Sequence, residues 1–190
     1  EFNQLFVGNG GRQSGDLWAY NSYDPDLGAR TDYAACAGTT LQLVGGGAPI
    51  SLENGDSVIS LDLCLDYQHS PRVTLAADLN CPENILNKAA GLFQSFGKQV
   101  SLIKDIPGMV LTRTVAMLVN EASMLVQEKV ADAADINLAM KKGVNYPLGS
   151  LEWGELWGYN AAVETLENLF CKYGERYRVS SWLQKKEKLG

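Results

Sequence analysis

The spacing of apolar positions changes character twice along this chain, near residue 70 and near residue 105. Before the first change, short runs such as Leu41-Gln42-Leu43-Val44 and Ser57-Val58-Ile59-Ser60-Leu61-Asp62-Leu63 are separated by Gly45-Gly46-Gly47 and Asn54-Gly55. This pattern predicts short strands joined by tight turns. Between the changes it predicts a β-α-β unit. Val73-Thr74-Leu75-Ala76-Ala77 is a short apolar strand, and Asn80-Cys81-Pro82-Glu83 starts a helix with Pro in the first turn and an acid near the positive dipole end. Ile85, Leu86, Ala89, Leu92, Phe93 and Phe96 fall on one helical stripe, Gly97 stops it, and Lys98 to Ile103 forms the second strand.

From Pro107 onward the period is helical. Met109 to Lys129 is apolar on nearly every face, which predicts the buried central helix of an all-α domain. Shorter amphipathic helices follow over 132–142, 151–157, 161–173 and 180–188, punctuated by Gly143, Gly149, Gly158 and Gly174. The predicted fold class is α+β: a small N-terminal α/β part over 1–104, then an all-helical domain over 105–190.

Composition narrows the function classes. With 190 residues and 46% hydrophobic content the chain can bury a core. Cys36, Cys64, Cys81 and Cys171 are far apart with no CxxC pair, so no zinc site or disulfide framework is expected and the cytoplasm is the expected compartment. No apolar run approaches the roughly 20 residues of a membrane span, so no membrane association is expected. Residues 1–100 carry 5 basic and 11 acidic side chains while 101–190 carry 11 of each, so the net charge of −6 lies in the first half. Phosphate binding needs a basic face, and nucleic acid is not an expected partner. Lys185-Lys186-Glu187-Lys188 reads as a solvated helix end. The chain begins at Glu1 inside sequence that already reads as folded, and a fragment of a longer polypeptide is expected.

The most specific signals lie in the second half. Asp105-Ile106-Pro107-Gly108 opens the apolar run, followed by Asn120-Glu121-Ala122, Asp135-Ile136, Ala139-Met140, Gly143 and Tyr146-Pro147-Leu148-Gly149-Ser150-Leu151-Glu152. Pro147 fixes φ, Gly149 permits an unusual backbone angle, and Tyr146 can bury its ring, so this last tract is a sharp connection. In that order and spacing, from about Val73 to the C-terminus, these residues resemble the helical C-terminal domain of the 3-hydroxyacyl-CoA dehydrogenases. The resemblance implies that the α/β part is a Rossmann-like remnant of a nucleotide-binding domain.

The implied chemistry needs a dinucleotide cradle, a general base and a group that fixes the substrate. Gly8-Asn9-Gly10-Gly11 and Gly45-Gly46-Gly47 lack GxGxxG spacing and read as turns. The family base is a His held by a carboxylate. His69 is the chain's only histidine, and it reads better as a surface or strand-end residue than as a remnant of that base. The family's helical domain begins with Asn-Arg, where Asn helps fix the substrate, and Thr112-Arg113 stands there instead. Thr carries one short hydroxyl in place of a carboxamide, which argues against direct catalysis. Arg113 is expected to pair with Glu121 or Glu152. Pro107, Gly108, Arg113, Tyr146, Pro147 and Gly149 are expected as pocket or structural signature residues, with no confident catalytic, cofactor or metal site.

The resemblance therefore implies the C-terminal part of a long-form NAD-dependent dehydrogenase of 3-hydroxybutyryl-CoA type, serving fatty-acid or aromatic-acid degradation. NAD and the acyl-CoA substrate would sit in the full enzyme, with no cofactor on this fragment. Its partner would be the catalytic half of the same polypeptide, with a homodimer as a further assembly, and aromatics such as Trp153, Trp157 and Trp182 fit packing against a partner. The rival expectations are a non-catalytic oligomerisation or binding module of related fold, and a divergent active dehydrogenase with His69 as base.

Overall fold

The computed structural model describes residues 13–14, 17–23, 30–36, 39–43, 57–66, 69–77 and 81–188, with side chains from residue 59 onward. It divides into two compact units, residues 1–109 and 110–190.

The first unit holds one sheet whose seven described strands lie in chain order: β1 (Gln13–Ser14), β2 (Leu17–Tyr23), β3 (Arg30–Cys36), β4 (Thr39–Leu43), β5 (Ser57–Leu61), β6 (Arg72–Ala77) and β7 (Gln99–Lys104). The pairs from β1 to β4 are antiparallel, β4–β5 is parallel, β5–β6 antiparallel and β6–β7 parallel. Rossmann-like character therefore resides in the predicted unit β6, α1 (Glu83–Ser95), β7, where Val73 pairs with Val100 and Leu75 with Leu102. Side chains two apart share a face of a strand. Val73 and Leu75 thus join Ile59, Leu61, Ala89 and Phe93 in one buried cluster, lined by Ile85, Leu86, Leu92 and Val100. Each fully buried Val, Leu, Ile or Phe side chain among them contributes about 1.5–3 kcal/mol. Helix α1 starts one residue after Pro82, which is its N-cap and offers no side-chain cap. It ends where Gly97 takes φ 73° and Lys98 N–H returns to the Phe93 carbonyl at 3.1 Å. Phe96, expected on the buried stripe, is the C-cap and is exposed.

The chain leaves β7 through a turn in which Met109 N–H donates to the Ile106 carbonyl at 2.9 Å. Pro107 and Gly108 are its central residues, and Gly108 at φ 77° supplies the left-handed angle a type II turn demands. The two glycine-rich turns at 8–11 and 45–47 lie outside the described residues.

The second unit contains α2 (Leu111–Gln127), α3 (Ala133–Gly143), α4 (Ser150–Trp157), α5 (Tyr159–Tyr173), a 3₁₀ turn (Glu175–Tyr177) and α6 (Ser181–Glu187). Helix α2 is central and packs on α3, α4, α5 and α6. Its buried positions are Thr112, Val115, Ala116, Val119, Asn120, Ala122 and Ser123, a helical stripe. The expectation that it is buried all round fails, because Leu111 and Leu125 are 46% and 40% exposed. Asp132 caps α3 by accepting from Asp135 N–H at 2.9 Å, and Ser180 caps α6 by accepting from Leu183 N–H at 3.1 Å.

Candidate functional site

The residues singled out from sequence fall into three local settings. The first is the α3–α4 connection. Asn145 turns the chain at φ 58°, and the Tyr146 ring lies 5.2 Å from that of Trp153. Gly149 N–H donates to Glu152 Oε2 at 2.8 Å, while Glu152 Oε1 accepts from Lys141 Nζ at 2.6 Å. Those two bonds, the lysine's first, hold the Glu152 carboxyl below its ordinary range. Asn137 Oδ1 accepts from Leu151 N–H at 3.0 Å, standing in for a cap at the start of α4. The same side chain explains Gly149: a Cβ there would lie 2.3 Å from Asn137 Oδ1 and 2.4 Å from its Cβ. The glycine is required by close approach, since its φ of −72° is ordinary.

The second setting is the start of α2. Thr112 is fully buried on the same stripe as Val115, Ala116 and Val119, so its hydroxyl faces packed interior. Arg113 lies with Cζ 4.8 Å from the Tyr173 ring centroid and 5.7 Å from that of Tyr177. Glu152, one of the two partners offered from sequence, is engaged by Lys141 instead. Leu151 packs with Ala122, nine residues along α2 from Arg113, or about 13 Å of helix rise, so the first two settings are distinct.

The third setting is His69. Its Nδ1 lies 2.8 Å from Asp66 Oδ2, and its N–H donates to Asp66 Oδ1 at 3.0 Å. This is a histidine held by a carboxylate, but both side chains are more than half exposed. The pair also precedes β6, at the amino ends of the parallel strands β6 and β7, where Gln99 N–H donates to the Pro71 carbonyl. Ligands of open α/β sheets bind at the carboxyl ends.

At the carboxyl end of β6 the chain enters α1 through Asp78-Leu79-Asn80-Cys81-Pro82-Glu83. A dinucleotide pyrophosphate takes backbone N–H groups of a glycine-rich turn at a helix N-terminus. Here there is no glycine, Pro82 lacks an N–H and Glu83 adds negative charge, so these residues do not fit that group. Among the described residues no three His, Cys, Asp or Glu side chains come together to hold a metal, and no helix is long and apolar enough to cross a membrane.

Asn120, Ser123 and Gln127 form a polar set that sequence reasoning did not single out for contact. Asn120 Nδ2 donates to the Arg178 carbonyl and its Oδ1 accepts from Ser180 N–H, both at 2.9 Å. The readable signal was the spacing of Asn120, Ser123 and Gln127, three and four residues apart, which places them on one side of the helix.

The comparisons agree with this anatomy. Residues 108–190 match the family model of the 3-hydroxyacyl-CoA dehydrogenase C-terminal domain, and residues 49–107 match that of the 3-hydroxybutyryl-CoA dehydrogenase reduced Rossmann-fold domain. The chain is 46% identical over 123 residues to a 3-hydroxyadipyl-CoA dehydrogenase of Escherichia coli K12, covering 64% of this chain and 26% of that protein. It is 33% identical over 100 residues to a probable 3-hydroxybutyryl-CoA dehydrogenase of Bacillus subtilis, covering 52% and 35%. The crystal structure of 3-hydroxybutyryl-CoA dehydrogenase from Escherichia coli K12 superposes with a TM-score of 0.75 at 36% identity, over 83% of this chain and 33% of that one. The chain thus spans between a quarter and about a third of the length of the curated relatives named here. Through residues 49–190, the two matched regions together, this chain belongs to the 3-hydroxyacyl-CoA dehydrogenase family.

Proposed function

We propose that this chain is the C-terminal part of an NAD-dependent 3-hydroxyacyl-CoA dehydrogenase of 3-hydroxybutyryl-CoA type, a cytoplasmic enzyme of fatty-acid or aromatic-acid degradation. The catalytic half of the same polypeptide holds NAD and the acyl-CoA. This part docks its helical domain, taken as residues 105–190, on that half as a built-in dimer partner and helps to wall the acyl pocket. The observation that carries the reading is the pairing of a helical family domain with a reduced α/β part whose α1 starts at Cys81-Pro82-Glu83, without a glycine-rich phosphate cradle. Thr112 in place of the family Asn, with its side chain in the core, supports a non-catalytic role. The exposed Leu111, Leu125 and Leu156 supply apolar surface for docking.

Titration calorimetry of the chain with NAD, and an NADH assay with 3-hydroxybutyryl-CoA, are expected to give neither binding nor turnover. Joined to the catalytic half, the chain is expected to support turnover that its removal diminishes. A micromolar dissociation constant for NAD, or clear turnover by the chain alone, would overturn the reading and favour a divergent active enzyme using His69. No effect of removal on activity or assembly would favour a free-standing binding module.

A further inference from the structure

The last segment of the helical unit is built differently from the rest. Helix α5 ends at Gly174, which takes φ 81° and would meet nothing within 4 Å if it carried a Cβ. Beyond this swivel lie the 3₁₀ turn and α6, which has only seven residues, too few to hold helix by itself. Its hydrogen bonds are concentrated at its amino end and come from α2, while α5 packs on it as well. Asn120 holds the Arg178 carbonyl and Ser180 N–H, and the Ser123 and Ser180 hydroxyls meet at 2.5 Å. Gln127 Oε1 accepts from both Ser181 Oγ, at 2.7 Å, and Trp182 N–H, at 3.1 Å. The apolar share comes from three side chains: Tyr177 is buried with its ring 5.8 Å from that of Tyr173, Leu183 is fully buried, and Trp182 packs against the Ala122, Ile136 and Leu151 cluster and edge-on to Tyr159, with ring centroids 5.8 Å apart.

We infer that residues 175–188 form a strap, hinged at Gly174 and latched by Asn120, Ser123 and Gln127, that opens from α2 as one unit while α2 to α5 stay folded. The cooperativity follows from geometry. Asn120 is donor to one strap residue and acceptor from another two positions on, so both bonds break in the same movement and the buried amide is left without either. Gln127, two turns along α2 from Asn120, accepts from two adjacent residues at the start of α6. Opening would uncover the α2 face and the side of the Ala122 cluster that Trp182 covers, giving the helical unit two surfaces. Helices α2, α4 and α5 keep their mutual packing through Val119, Leu151, Val163 and Leu166, none of which belongs to the strap.

Hydrogen exchange with mass spectrometry on the 190-residue chain tests this. In the wild type, amides of 178–187 should exchange together and at least about tenfold faster than those of 115–123, a gap of about 1.4 kcal/mol. Asn120→Ala should widen that gap a further tenfold or more while leaving α5 amides unchanged. If Asn120→Ala does not fold, Gln127→Ala at the exposed end of the latch should widen it several-fold in a folded protein. Strap amides exchanging at the same rate as α2 in the wild type, or a Gln127→Ala chain in which strap and α2 accelerate equally, would overturn the inference.

Discussion

In the α/β unit the side-chain hydrogen bonds described around β6 and β7 gather at the amino ends of those strands. There Asp66 holds His69, and the Arg72 guanidinium reaches Gln99 and Ser101 from exposed positions. In the helical unit Asn120, Ser123 and Ser180 are bonded to one another's elements while at most 6% exposed. The difference has one cause. Strands satisfy their backbone groups along a shared ladder, so the cluster between β5, β6 and α1 is built from apolar side chains, while Ser60, Asp62 and Lys98 are the buried polar residues described in that unit. Every helix leaves orphan N–H and C=O groups at its ends, and where an end is packed inside, a side chain must meet them. Asn120 and Ser180 do so for α6, and Asn137 does so for α4.

The contrast can be broken most directly by emptying the apolar cluster of the first unit. Phe93→Ala is expected to cost about 3–5 kcal/mol there. Exchange protection should fall in β6 and α1 and be retained in 115–123. Equal loss in both would mean that the units share one cooperative transition.

A second change tests close approach in the helical unit. Gly149→Ala forces a Cβ onto Asn137 and should cost about 1–3 kcal/mol, read by thermal melting. Made in an Asn137→Gly background, which removes the Cβ as well as the amide, it should cost less than half as much. Additive losses would remove Asn137 as the reason for the glycine.

A smaller effect separates two carboxylates by sign. Glu152 is held below 4.5 by Lys141 and Gly149 N–H, so its contribution is present above its unfolded-state value and lost as pH falls through the lower folded one. Glu164 is raised, by burial first and then by the charge of Glu167, so it opposes folding once ionised and eases as pH falls. Glu152→Gln should flatten the acid limb of the stability curve below about pH 4.5, and Glu164→Gln should raise stability at neutral pH. The reverse pattern would contradict both assignments.

The smallest effect concerns Arg113. Tyr173→Leu removes one of its two aromatic faces and should cost about 0.5–1 kcal/mol. No change in denaturant midpoint would show that the partly exposed ring contributes nothing there.

Periodicity located the β6–α1–β7 unit and the succession of helices, because a 2-residue or 3.6-residue repeat of apolar side chains directly reflects which face is covered. Local chemistry located the Pro107-Gly108 turn and the stops at Gly97 and Gly174, since φ preference belongs to the residue itself. Other features depended on residues far apart in the chain. That Gly149 answers to Asn137, that Glu152 belongs to Lys141, that Arg113 lies over Tyr173 and that Asn120 reaches Ser180 are facts of tertiary packing. A side chain's type determines what it can bond, and only the folded path of the chain decides which of many chemically suitable partners comes within 3 Å.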